Sequence, residues 1–350
     1  MLCPPLRFTL RTREEEADLT KESSAPRSLT VRPYEGASDA AWIAGLINAS
    51  RADTGEEDSP VSAKAVQKFL EDSSVDSDPR TDVHLFFHGE QLVAYERTRR
   101  ETWASGARVY HLGPHIHAEW RSKETVSEMI RHVCHYQSEI AKLDDLDVTP
   151  FLSLILPDPA DETTRAALLD AAFEPCHAFL RMARRLEEDV ALRDLPPAVE
   201  AHPIREKDYR KIYNFDRRIM RDSWGCEAPT KAHFAWWSEE AFLNPELWCV
   251  AWHEDEIVGT AAGVIGGTWT PGLGGEKGEI RFVRVAPEWR RRGIASALIL
   301  RCMAALREQG IHELILGVDG ANEEAATALY RKLGFEVTSR MTAYRYDLAT

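Results

Sequence analysis

Hydrophobic residues along the second half of the chain switch between two periods, and the switches divide it into elements. Val283 and Val285 alternate with polar neighbours like the end of a strand, and Pro287, with no N–H to give a ladder, closes it. Beyond it Ala295, Leu298, Ile299, Cys302 and Leu306 recur at helical spacing, and Gly310 is placed to end that helix as Gly334 ends the next. The same reading predicts strands near Ala201–Ile204, Trp248–His253, Ile257–Ile265, Glu279–Val285, Glu313–Val318 and Thr342–Asp347. It predicts helices near Lys207–Met220, His233–Ala241, Arg292–Glu308 and Glu323–Leu333. Strands and helices in this order predict a mixed α/β fold.

The pattern occurs twice. V-R-P-Y-E-G-A-S-D at Val31 answers to A-H-P-I-R-E-K-D at Ala201, and H-G-E-Q-L-V-A at His88 to H-E-D-E-I-V-G at His253. A-E-W-R at Ala118 answers to P-E-W-R at Pro287, and A-A-F-E at Ala171 to L-G-F-E at Leu333. An offset of about 165 residues holds across these landmarks, as a tandem repeat requires. The expected organisation is a polar, mobile extension over 1–27, a first unit over 28–187, a charged and proline-bearing linker over 188–199, and a second unit over 200–350.

Composition narrows the class of protein. A chain of 350 residues exceeds one ordinary core and suits two domains, and 44% apolar with 29% charged residues fits a globular protein. Six cysteines lie scattered without a C-x-x-C pair, which indicates neither a disulfide framework nor a zinc ribbon. His111, His115 and His117 alternate along one predicted strand, but no acid or cysteine completes a ligand set, so no metal is expected. No apolar run reaches membrane-spanning length and the first 25 residues lack a signal-peptide core, so the expected compartment is the cytoplasm, with no membrane partner. A net charge of −14 argues against nucleic acid, whose phosphates need a basic face. A monomer or a homodimer would both fit.

The segment V-R-V-A-P-E-W-R-R-R-G-I-A-S, Val283 to Ser296, joins a strand to a helix through a turn bearing a glycine and three arginines. Backbone N–H groups exposed at the positive end of a helix dipole form a seat for phosphate, and glycine lets the anion approach the backbone. About 30 residues further on stands V-D-G-A-N-E-E-A-A-T-A-L-Y-R-K-L-G-F, Val318 to Phe335. In this order the two segments resemble the GNAT acyltransferase superfamily, through its acyl-CoA pyrophosphate loop and its later N…A…L-Y…G-F segment. The resemblance implies two tandem GNAT-like acyl-CoA N-acyltransferase domains, in each of which two central parallel strands splay apart. It implies acetyl-CoA as co-substrate, without a metal, and direct transfer of the acetyl group to a primary amine.

The same resemblance distributes roles. Val283, Arg284 and Val285 would offer backbone groups to the pantetheine arm, and Arg290, Arg291, Arg292, Gly293, Ile294, Ala295 and Ser296 would hold the pyrophosphate. Tyr330 would protonate the departing thiolate; the bland alternative is an aromatic residue packed in the core. Asn322 would contact the pantetheine, although its spacing to Tyr330 is one residue longer than in the commonest form of the motif. Glu279 is the candidate base, equally readable as an exposed strand-end acid, with Asp319 in reserve. Gly317 stands where ribosomal-protein N-terminal acetyltransferases carry a glutamate, which counts against that subfamily's mechanism.

The first copy departs from the pattern. Aligning A-E-W-R with P-E-W-R puts Glu124 in the place of Gly293, and counting back from Phe173 puts Leu168 in the place of Tyr330. The first unit is therefore expected to be degenerate and non-catalytic, covering a sheet edge of the second. Trp224, Trp236 and Trp237 fall where GNAT proteins build the acceptor pocket, and the acceptor is expected to be a small-molecule or peptide amine. M-R-D-S-W-G, Met220 to Gly225, resembles tandem members related to mycothiol synthase, so acetylation of a cysteinyl glycoside is one alternative. A module that holds acetyl-CoA without turnover is another.

Overall fold

Strand periodicity in the sequence says which residues extend, but not which strands become neighbours. The computed structural model describes residues 29–54, 60–71, 78–143, 148–158, 160–186, 190–202, 204–265, 277–320 and 323–348. The first half runs β1 (Thr30–Pro33), α1 (Ala37–Thr54), α2 (Ala63–Leu70), α3 (Pro79–Asp82), β2 (Val83–His88), β3 (Gln91–Thr102), β4 (Arg108–Ile116), α4 (Lys123–Ala141), β5 (Phe151–Asp158), α5 (Glu162–Asp170) and β6 (Glu174–Arg185). The second half repeats the order with β7 (Val199–His202), α6 (Tyr209–Met220), α7 (Lys231–Leu243), β8 (Trp248–His253), β9 (Glu256–Val264), β10 (Lys277–Val285), α8 (Ile294–Glu308), β11 (Glu313–Asp319), α9 (Glu323–Lys332) and β12 (Glu336–Asp347). Strand β12 begins six residues before the predicted Thr342, because its first half is polar and exposed and carries little alternation.

All twelve strands join one sheet, in the order β1-β2-β3-β4-β5-β12-β6-β11-β10-β9-β8-β7. The halves do not meet edge to edge as expected. Each sends its last strand into the other: β6 pairs antiparallel with β11, β12 pairs antiparallel with β5, and β6 and β12 run beside each other at the centre. The exchange reaches the cores. Leu180 and Met182 of β6 are buried with Leu298, Cys302 and Leu306 of α8, while Tyr344 of β12 is buried with Val126 and Met129 of α4 and Leu168 of α5.

Each half is covered on both faces. In the second, α8 and α9 close one face over Ile280, Leu314 and Leu316. Helices α6 and α7 close the other with Ile212, Tyr213, Trp237 and Trp248. The first half repeats this with α4 and α5 on one side and α1 and α2 on the other. Among the described residues no helix is long and apolar enough to cross a membrane.

Candidate active site

Strands β10 and β11 start as parallel neighbours and then part. Their register runs from Lys277↔Glu313 to Glu279↔Ile315 and stops there, although both strands continue. A bulge in β10 drives the parting: its register with β9 shifts between Arg281 and Arg284, and Phe282 takes a φ of 51°. A bulge adds a residue to one strand and bends it. Past the bulge, Val283 and Val285 pack toward α8, while Arg284 turns to the other face and donates from Nε to Asp216 Oδ1 of α6 at 3.0 Å.

The mouth of the splay is the turn foreseen from the sequence. Residues Pro287–Trp289 make a short 3-10 turn, Arg291 takes a φ of 64°, Gly293 takes 85°, and α8 begins at Ile294. No side chain caps α8. Successive backbone N–H groups around left-handed residues at a helix start form a concave anion seat. A Cβ on Gly293 would meet nothing within 4 Å, so the space above the turn is open. The arginines are not equivalent. Arg290 donates to Val285 O at 3.2 Å, and Arg292 donates to Glu288 O at 3.1 Å while covering the Trp289 ring. These two brace the turn, whereas Arg291 is exposed. Ala295 is half-buried, and Ile294 and Ser296 are buried in the first turn of α8. Gly259 of β9 lets that turn come close, because a Cβ there would lie 2.9 Å from Ile294 Cγ2.

Tyr330 on α9 is buried at 8% exposure, against the α8 core, with its ring 6.1 Å from Phe335. Burial pushes its phenol up, and the Arg284 charge offsets part of the rise. Tyr330 shares its buried cluster with Leu316 and Val318 of β11, and Val283 of β10 packs against that cluster. Glu279 lies at the closed end of the splay, opposite Ile315, with Oε2 2.7 Å from Arg281 Nη2. Asp319 is bonded to His177 of β6 at 2.8 Å. Asn322 lies outside the described residues.

Other sequence candidates fall elsewhere. Trp237 is fully buried among Tyr213, Phe234 and Trp248, so it is core. Trp224 stacks on His177 at 4.7 Å, and the Trp236 side chain lies outside the description. The three alternating histidines go separate ways: His111 to Glu101, His115 onto Tyr95, and His117 to the Glu119 N–H. Among the described residues no three His, Cys, Asp or Glu side chains gather as metal ligands. Asp216 was not foreseen. It is 2% exposed and held by both Arg217 and Arg284. The signal was present, since it falls four residues after Ile212 on the buried face of α6, where a bare carboxylate needs cationic partners.

One expectation for the first half is corrected. Glu124 does not stand in the place of Gly293. Both halves share a short turn ending at Trp120 or Trp289 and an arginine tied five residues back, Arg121 to Ile116 O and Arg290 to Val285 O. The cap position of α4 is Ser122, so the first-half turn is shorter and Glu124 lies inside the helix.

The model of the acetyltransferase (GNAT) family matches residues 209–335, the span that holds the splay, the turn and Tyr330. The mycothiol acetyltransferase of Thermobispora bispora is 32% identical over 184 residues, covering 49% of this chain and 58% of that protein. The N-alpha-acetyltransferase MAK3 of Arabidopsis thaliana is 34% identical over 103 residues, 29% of this chain and 52% of that protein. The match thus spans little more than half the length of these relatives. In fold, a GCN5-related N-acetyltransferase from Sphaerobacter thermophilus superposes with a TM-score of 0.72 at 22% identity, over 92% of this chain and 96% of that one. A tandem GNAT protein from the clavulanic acid biosynthesis pathway gives 0.64 at 14% identity, over 92% and 99%. Residues 209–335 thus match the GNAT acetyltransferase family, and the chain as a whole shares the fold of a tandem GNAT protein.

Proposed function

We propose that the second half uses acetyl-CoA to acetylate a primary amine by direct attack, and that the first half does not catalyse. The observation that carries this reading is the uncapped turn with Arg291 and Gly293 in the left-handed region, open above and set at the mouth of the β10–β11 splay. The amides of 291–296 would hold the diphosphate, with Arg291 free to add charge. The pantetheine arm would lie in the gap, against the edge of Val283–Val285 that β11 has left. A backbone N–H there would polarise the thioester carbonyl.

The amine nitrogen, once deprotonated, attacks the carbonyl carbon; the tetrahedral adduct collapses, the C–S bond breaks, and the sulfur takes a proton from the Tyr330 hydroxyl. A phenol near the gap with its pKa raised by burial stays protonated until the thiolate forms, as a general acid must. Glu279 is the base candidate carried by β10 itself. Its carboxylate is paired with Arg281, Oε2 lying 2.7 Å from Nη2. Kinship with mycothiol acetyltransferases favours a cysteinyl glycoside as the second acceptor reading.

The test is thiol release from acetyl-CoA against polyamines, amino sugars, peptide N-termini and a cysteinyl glycoside, beside thermal melts with acetyl-CoA. Ligand at a hundredfold excess over Kd stabilises by about 2.7 kcal/mol, a rise of several degrees. No rise at millimolar acetyl-CoA removes the reading. A rise without thiol release from any acceptor leaves a binding module.

A further inference from the structure

We propose that Glu227, in the connection between α6 and α7, takes the proton from the acceptor's ammonium, and that Glu101 of β3 in the first half holds Glu227 ready for it. The proposal rests on the reading that this chain acetylates a primary amine, and it makes the acceptor site a joint product of both halves.

The geometry begins with a graft. The end of β3 bonds to the α6–α7 connection as if to a strand: Trp103 and Glu227 form an antiparallel bridge, Ala104 N donates to Cys226 O and Ala228 N donates to Thr102 O, both at 2.7 Å. This brings Glu101 and Glu227 to the same Arg99 guanidinium, with side chains 9% and 27% exposed. Glu101 is the better served of the two. Oε1 takes bonds from Trp103 Nε1 and His111 Nε2, and Arg99 Nη2 lies 3.3 Å from Oε2. Oε2 is nevertheless a buried acceptor without a hydrogen bond. A proton on Glu227 supplies the missing donor.

Glu227 has weaker support. Arg99 Nη1 stands 3.9 Å from Oε1 and His233 Nε2 stands 3.7 Å from Oε2. Burial and the Arg217 charge press His233 down to about 4, so it is neutral at physiological pH, with Nδ1 2.9 Å from the Tyr213 hydroxyl. Arg217 is committed to Asp216. Two partly buried carboxyls that share one guanidinium cannot both ionise cheaply. Burial and the Glu101 charge push Glu227 up to about 7, while the bonds from His111 and the Arg99 charge hold Glu101 down to about 2. A base near neutrality, partly open to solvent, is suited to an amine.

A chain of contacts links the pair to β10. Glu227 follows Cys226, whose sulfur is 3.7 Å from Arg217 Nη1; Arg217 holds Asp216, and Asp216 holds Arg284 on β10. Trp103 and Trp224, 4.9 Å apart at their centroids, stand beside it and can take an ammonium on their faces. In the transfer, the ammonium N–H bond breaks toward the Glu227 carboxylate, the freed lone pair attacks the thioester, and the proton leaves Glu227 to water after thiol release.

The experiment follows acetyl-CoA turnover between pH 5.5 and 9 with spermidine, glucosamine and a hexapeptide with a free N-terminus, in the parent, Glu227→Gln and Glu101→Gln. Alongside, carboxyl 13C NMR of the parent, with Glu227→Gln as the difference control, reads the Glu227 titration directly. The expected results are an acid limb in kcat/KM near pH 7 that coincides with the NMR titration, a loss of about 100-fold in Glu227→Gln, and an acid limb at least one pH unit lower in Glu101→Gln. A Glu227 carboxyl that titrates in the ordinary carboxylate range overturns the proposal. So does a Glu227→Gln protein that keeps the parent's rate and limb, since a merely structural pair would behave that way. Failure of the parent to acetylate any probe removes the acetyltransferase reading and the proposal with it, and the NMR titration tells that outcome from the others.

Discussion

The two halves contain the same splay, and only the second sets an uncapped helix start beside it. In the first half β4 and β5 pair in parallel from Val109↔Phe151 to His111↔Ser153 and then part, as β10 and β11 do. The space between them survives as a cavity of about 240 Å³, lined by Leu112, Ile116, Met129, Val133 and Leu156. Three differences separate it from its twin. Strand β4 keeps an unbroken register with β3, so nothing redirects its edge. The N-terminus of α4 is capped from within, Ser122 Oγ accepting from Thr125 N at 3.3 Å, where α8 leaves its amides open. Leu168 takes the place of Tyr330, each carbonyl accepting from the phenylalanine N–H five residues on at 3.0 Å. The gap is therefore a property of the sheet, while among the described residues the bulge, the uncapped helix end and the hydroxyl belong to the second half.

This contrast can be broken in three places. The largest effect is expected from Tyr330→Phe, which should lower kcat about 100-fold with acetyl-CoA affinity unchanged; Leu168→Tyr should confer no turnover on a protein already carrying Tyr330→Phe, as thiol release will show. Next, Gly293→Ser gives α8 the cap that α4 carries, on a backbone at φ 85° that L residues reach only with strain. Calorimetry should find acetyl-CoA binding weaker by roughly 30-fold, about 2 kcal/mol. Its mirror, Ser122→Ala, should cost about 1 kcal/mol of stability and leave acetyl-CoA binding untouched.

A last test is a matter of pH. Glu227 binds its proton more tightly folded than unfolded, so its contribution is complete below its unfolded value near 4.3 and fades as pH rises toward 7. Glu101 has the opposite sign: its contribution is complete above that unfolded value and fades as pH falls toward 2. Melting temperatures should accordingly lose their decline between pH 4.5 and 7 in Glu227→Gln, and part of their acid decline below 4.5 in Glu101→Gln.

Local chemistry was legible in the chain and long-range pairing was not. Trp248–His253 forms as read, and the glycine turn stands where Gly293 pointed, because periodicity and turn residues act within a few positions. The tandem order was legible because each half repeats its landmarks. The strand exchange was hidden, since β6 and β12 carry the same alternation whichever neighbour they choose. Glu101 and Glu227 were hidden for a related reason. Each reads as an ordinary polar residue until the hairpin end of β3 meets the α6–α7 connection.

The crossing of β6 and β12 also sets an order of events. Residues 174–185 leave the ribosome long before β11 and β12, the strands that flank them, have been made. The nascent first half must hold an unsatisfied strand, with Leu180 and Met182 uncovered, until the carboxyl-terminal strand arrives to lock both sides. Contacts so distant in sequence slow the search for the native state. Severing the chain between the halves would leave two fragments that each lack the closing strand of their own sheet.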